Sequence, residues 1–134
     1  MKKLYISDLD GTLLRNDGKL SKFTKDQLKR IIDSDIKFTI ASARGASAIM
    51  QLFDGIKLNL PVIEVNGAYI TDLKTMEVKS VSEIPFYIKY ELDYIFDSKE
   101  ISPIISTFNG QNKKLYFIDI SNQGTDWFYK DRVN

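Results

Sequence analysis

Two aspartates, Asp8 and Asp10, stand two residues apart just after the apolar, β-prone run Lys3-Leu4-Tyr5-Ile6. That run reads as a buried first strand, and the Gly11-Thr12 pair after the aspartates breaks it. In a parallel α/β sheet, ligands sit at the carboxyl ends of strands. Were the strand to persist, Asp8 and Asp10 would share a face while Leu9 took the other. A turn beginning at Gly11 would swing Asp10 away and give the two carboxylates separate tasks. Carboxylates this close repel unless a proton or cation intervenes, so the pair points to a hard divalent metal such as Mg²⁺.

Blander readings compete. Asp-Gly is a common turn dipeptide, and an arbitrary Asp-x-Asp-Gly is better read as a surface turn. An EF-hand loop counted from Asp8 fails, since Leu13 falls where that loop needs glycine and Lys19 where it needs glutamate. A chance acidic cluster is disfavoured by the apolar strand leading into it.

Composition narrows the chemistry. The 134 residues suit one modest domain or pieces of two, and 43% hydrophobic residues suffice for a packed core. With 19 basic and 18 acidic residues the net charge is +1, which gives no reason to expect nucleic acid or an anionic membrane as partner. The absence of cysteine removes disulfides and thiolate chemistry and fits a reducing compartment. The absence of histidine removes Ser-His-Asp and Cys-His machinery and His-ligated zinc. Proton transfer near neutral pH then falls to carboxylates, lysine or tyrosine. No apolar run approaches the ~20 residues that span a bilayer, and Asp8 cuts short any signal-peptide pattern. The expected location is cytoplasmic.

The elements that must position the aspartates follow in order. Arg15-Asn16-Asp17-Gly18-Lys19 reads as a small hairpin turn. Ser21 is a candidate N-cap for a helix with Thr24, Leu28, Ile31 and Ile32 on one face, ended by Asp33-Ser34-Asp35. A second strand, Ile36 to Ala41, stops at Ser42-Ala43-Arg44-Gly45, and a helix follows with Ala46, Ile49, Met50 and Phe53 on one face. A hydroxyl between a strand end and a helix N-terminus can receive a phosphoryl oxygen, although Ser42 taken alone reads as a turn or N-cap serine. Val62 to Val65 forms a third strand, and Asn66-Gly67 reads as a tight turn. Tyr69-Ile70-Thr71 and Glu77 to Val81 form a hairpin around Asp72-Leu73-Lys74. After Pro85, placed in the first turn of a helix, Ile88, Leu92, Ile95 and Phe96 share a face. Strands follow near Ile101 to Phe108 and Leu115 to Ile120, joined through Asn109-Gly110-Gln111-Asn112. A last helix runs from Gly124 to Arg132, its Trp127, Phe128 and Tyr129 read as core packing.

Asp8-Leu9-Asp10-Gly11-Thr12-Leu13-Leu14 resembles the first motif of the haloacid dehalogenase-like (HAD) phosphatases. Ser42-Ala43-Arg44 resembles the Thr-Gly-Arg of their Cof-type, subfamily IIB sugar-phosphatase branch, with Ala43 departing from the usual glycine, and Asn66-Gly67-Ala68 is similar to that branch's site-bordering loop. The resemblance implies an α/β fold, with the N-terminal half of a Rossmann-like parallel-sheet core over residues 1–82. Over 83–134 it implies the start of a type-IIB α/β cap.

It also implies a Mg²⁺-dependent phosphatase acting on small phosphorylated metabolites, with sugar phosphates the foremost class. Asp8 would be the nucleophile that forms an aspartyl-phosphate, and Asp10 the general acid and base. Both would hold Mg²⁺, Asp10 through its backbone carbonyl. Leu9, Asp10, Ser42, Ala43 and Arg44 would bind phosphate, and Thr12, Asn66 and Gly67 would edge the site. The family's third-motif lysine and fourth-motif acidic pair would follow the cap, and none of the seven glycines here precedes an aspartate. The sequence therefore reads as truncated and inactive alone, prone to self-association or to recruiting a missing C-terminal half. A phosphosugar mutase of the same superfamily and a non-catalytic fragment are the alternatives.

Overall fold

The computed structural model describes residues 3–120 and 122–132, the side chains of 131 and 132 excepted. The chain divides into two compact units, Met1–Glu83 and Ile84–Asn134.

In the first unit, β1 (Leu4–Ser7) pairs in parallel with β2 (Lys37–Ile40), Tyr5 opposite Phe38 and Ser7 opposite Ile40. The crossover between them is α1 (Lys22–Asp33), as parallel pairing demands. Its start was legible in the sequence: the Ser21 hydroxyl accepts the Thr24 amide at 2.9 Å. Leu28 is the buried residue of α1, with Ile31 and Ile32 packed against the core. The turn before α1 also forms as read, Gly18 donating to the Arg15 carbonyl at 2.9 Å and Leu14 bridging Leu20.

A single parallel bridge, Ala41 to Ile63, joins this pair to β3 (Val62–Glu64). Antiparallel β4 (Tyr69–Thr71) and β5 (Val78–Val81) complete the order, with a register irregularity at Ile70/Thr71. The Asp72 carboxylate accepts the Lys74 amide at 2.8 Å and shapes the hairpin turn. Between β2 and β3 lies α2 (Ala46–Leu52). The core gathers Leu9, Leu14, Leu28, Phe38, Ile40, Ile49, Phe53 and Val62.

Three expectations in this unit are corrected. β1 is not buried: Leu4, Tyr5 and Ile6 are 55%, 52% and 50% exposed, and since successive side chains alternate between faces, neither face of β1 is covered among the described residues. Met50 does not join the buried face of α2 and is exposed, the seven-residue helix burying Ala46 and Ile49 instead. Val65 leaves the third strand for a 3-10 turn, Val65–Gly67, in which Val65 and Asn66 take left-handed φ of 50° and 54°.

The second unit contains α3 (Phe86–Ser98), β6 (Ile105–Phe108), β7 (Lys113–Tyr116) and α4 (Gln123–Arg132). Pro85 sits just ahead of α3 rather than inside its first turn, and Ile95 is exposed while Ile88, Leu92 and Phe96 are half-buried. The antiparallel β6–β7 hairpin turns where expected, the Asn109 carboxamide oxygen accepting the Gln111 and Asn112 amides, and its strands are shorter than read. Trp127 is 59% exposed rather than core, while Tyr129 packs edge-on against Phe117 at 5.5 Å.

Candidate active site

β1 ends at Ser7, so Asp8 is the first residue beyond a parallel strand's carboxyl end. The chain then turns sooner than its glycine implied. The Leu9 carbonyl accepts the amides of Thr12, Leu13 and Leu14 at 2.9–3.2 Å, so the turn is organised on Leu9, and Gly11 takes the left-handed φ of 75° within it. Leu9 anchors this turn because its side chain is fully buried, leaving Asp8 and Asp10 exposed on either side.

The two carboxylates meet different partners. Asp8 Oδ1 accepts the Leu9 amide at 2.7 Å. Asp10 is gripped by Arg44 in a two-pronged pair, Nε to Oδ2 at 3.0 Å and a terminal nitrogen to Oδ1 at 2.8 Å. The Arg44 side chain is 15% exposed and that of Asp10 47%. Planar fork-on-carboxylate pairing fixes orientation as well as charge. Arg44 and the Leu9 amide, both expected to face phosphate, are thus engaged with the aspartates themselves.

Ser42 is buried beyond the end of β2. Its hydroxyl accepts the Arg44 amide at 3.2 Å, which is the turn-serine geometry, and Gly45 rather than Ser42 occupies the N-cap of α2. Its backbone joins the neighbouring loop: the Ser42 amide donates to the Ile63 carbonyl, and its carbonyl accepts the Asn66 amide at 3.1 Å. These segments wall an open cavity of about 330 Å³ lined by Asp8, Ser42, Ala43, Ile63, Asn66 and Gly67. The cavity brings Asp8 together with Ser42, Ala43, Asn66 and Gly67, while Thr12, Arg44 and Asp10 lie outside its lining. A larger apolar hollow of about 770 Å³, lined by Phe53, Ile56, Leu58 and Leu73 among others, contains none of the chemical groups singled out in the sequence.

One residue of this region was missed in the sequence. Glu64 is fully buried beside the cavity, and its carboxylate accepts the Ala46 amide at 2.5 Å and the Thr71 hydroxyl. An acidic residue flanked by Val62, Ile63 and Val65 in a strand was the available signal, because a carboxylate buried among apolar neighbours must find donors.

A hard cation suits the oxygen donors at the head of the cavity, though they are few. Both Asp10 carboxylate oxygens are taken by Arg44, which leaves the Asp8 carboxylate and backbone carbonyls. Among the described residues no three Asp, Glu, His or Cys side chains gather as a metal site. Mg²⁺ takes six oxygen ligands near octahedral geometry and keeps several waters among them, so these groups would supply only part of such a shell.

Known proteins resemble this chain in sequence and, among solved structures, in fold. The 5-amino-6-(5-phospho-D-ribitylamino)uracil phosphatase YwtE of Bacillus subtilis is 29% identical over 125 residues, 88% of this chain and 43% of the relative. The HMP-PP phosphatase of Escherichia coli O157:H7 is 27% identical over 135 residues, 90% of this chain and 50% of the relative. A solved structure of a HAD-superfamily phosphatase from Bacteroides thetaiotaomicron shares the fold at a TM-score of 0.70 and 24% identity, covering 97% of this chain and 47% of that one. The chain spans half the length or less of these relatives. The family model of the haloacid dehalogenase-like hydrolases matches residues 5–132, nearly end to end, and this chain belongs to that family.

Proposed function

We propose that this chain carries the nucleophile and part of the phosphate pocket of a Mg²⁺-dependent, cytoplasmic phosphatase of the Cof-type branch. Its substrates are small phosphorylated metabolites, with sugar phosphates the foremost class. The observation that carries this reading is the place of Asp8: beyond the carboxyl end of a parallel strand, at the head of a cavity walled by Ser42, Ala43, Asn66 and Gly67.

Asp8 Oδ1 is held by the Leu9 amide, and Oδ2 has no hydrogen-bond partner among the described residues. Oδ2 attacks phosphorus, the bond from phosphorus to the substrate oxygen breaks, and the leaving alkoxide takes a proton from Asp10. Asp10 then removes a proton from the water that hydrolyses the aspartyl-phosphate. As an ion-paired carboxylate Asp10 is ready for this second step; for the first it must already carry a proton taken from solvent, which requires the Arg44 pair to loosen. Asp8 and the backbone carbonyl of Asp10 would hold Mg²⁺, which when bound offsets the negative charge of the phosphoryl group. Ser42 and neighbouring amides orient that group.

Further acidic and cationic groups are needed to complete the site, and a stretch of chain beyond the matched half of the relatives, or a self-associated partner, would supply them. The test uses an enzyme of the relatives' length carrying this sequence. Mg²⁺-dependent release of inorganic phosphate from sugar phosphates, lost in Asp8→Asn, is the expected result. Release that survives Asp8→Asn overturns the reading, and an isomeric sugar phosphate as product assigns a mutase instead.

A further inference from the structure

Glu64 is the single fully buried charged side chain among the described residues, at 0% exposure. A carboxylate in such a place is costly unless donors surround it. Oε2 accepts the amide of Ala46, the first residue of α2, and Oε1 accepts the Thr71 hydroxyl of β4. One side chain at the end of β3 thus joins the start of a helix to the neighbouring strand. A side chain at Gly45 would also come within 3.7 Å of Oε2, so the Ser42–Gly45 loop lies directly against this carboxylate.

Immediately after Glu64 the backbone enters its left-handed turn. The Val65 amide donates to the Arg44 carbonyl at 3.3 Å and the Asn66 amide to the Ser42 carbonyl at 3.1 Å. Valine seldom takes φ of 50°, since its branched Cβ crowds the backbone there. Such strain persists where the surroundings over-determine the conformation. The anchored Glu64 side chain provides that constraint, one residue before the strained position.

We propose that Glu64 is the positioning residue of the cavity: its buried carboxylate locks the Ser42–Gly45 loop to the Val65–Gly67 turn and so sets the width of the phosphate pocket. The assignment of phosphate as occupant rests on the function proposed above; the locking of the two loops does not. A second consequence concerns the helix. The Ala46 amide at the N-terminus of α2 is already satisfied by an internal anion. Bound phosphate therefore draws on Ser42 and the loop amides, and the helix terminus contributes through Glu64 by holding the loop still.

The test is amide hydrogen exchange of the 134-residue chain, read by NMR without added anion, in Glu64→Leu, Glu64→Gln and Thr71→Val. In Glu64→Leu, exchange at Ala46, Val65 and Asn66 accelerates about tenfold or more, as expected for losing a charge-assisted hydrogen bond, while Phe38 and Ile40 in β2 are unchanged. Glu64→Gln, which keeps an acceptor for Ala46, restores most of the protection. Thr71→Val gives a smaller acceleration at the same three amides and serves if Glu64→Leu does not fold. Equal acceleration across the whole unit, or none at the three loop amides, overturns the proposal. Titration of the same samples with inorganic phosphate tests the occupant separately. Phosphate that fails to shift Ser42 or Asn66, in the unaltered chain and in an enzyme of the relatives' length alike, defeats the phosphate reading while leaving the loop lock standing on its exchange data.

Discussion

Asp8 and Asp10 are separated by one residue, yet Leu9 plunges into the core between them and each carboxylate faces its own set of donors. That division of neighbours predicts a division of effects. In an enzyme of the relatives' length, Asp8→Asn removes turnover, because an amide is a poor nucleophile. Asp10→Asn slows both proton transfers while Mg²⁺ affinity, read by calorimetry, stays close to that of the parent. Equal loss of metal affinity in the two variants contradicts these roles. Ser42→Ala weakens inhibition by inorganic phosphate by roughly 1–3 kcal/mol, about one hydrogen bond to a charged group. An unchanged inhibition constant would leave Ser42 with its turn role alone, holding the Arg44 amide.

At the scale of elements, α1 is the crossover that makes the β1–β2 pair parallel and so brings the ends of both strands to one edge. Two of its residues carry separable parts of that work. Ser21 satisfies the first-turn amide of Thr24, and Ser21→Ala lowers unfolding stability by about 1 kcal/mol. Leu28 is 3% exposed within the core, and Leu28→Ala costs about 2–5 kcal/mol through lost transfer energy and the cavity left behind. Urea denaturation of the chain measures both, and a Ser21→Ala cost equal to that of Leu28→Ala would refute the ranking. The strand-end segments are positioned differently, by the backbone bonds linking Ser42 and Arg44 to Val65 and Asn66.

For the whole molecule the exposed strand is the dominant fact. β1 pairs on one side with β2 and, among the described residues, on the other with nothing, while Leu4, Tyr5 and Ile6 are each at least half exposed. An apolar strand with a free edge templates further pairing. The 134-residue chain is therefore expected to self-associate, and sedimentation velocity, the measurement that checks it, is expected to show species above 15.4 kDa. The same chain is expected to turn over an aryl phosphate negligibly with Mg²⁺ present, since neither a lysine nor a second acid lines the cavity with Asp8. A stable monomer with robust turnover abolished by Asp8→Asn would contradict both expectations.

The sequence by itself determined the local features of this protein. Asp8-Leu9-Asp10-Gly11-Thr12 marked the strand end that carries Asp8, Ser21 the helix start, Asn109-Gly110 the hairpin, and the absence of histidine and cysteine the chemistry that this chain excludes. These are short-range properties: a cap, a turn or a motif is specified by residues a few positions apart. Only the tertiary structure decided that Arg44 closes on Asp10 across 34 positions, that Glu64 reaches back 18 positions to the start of α2, and that β1 lies exposed. No periodicity carries those facts. An arginine or a buried glutamate takes whichever partner the chain fold delivers, and an apolar strand is covered only where another element arrives to cover it.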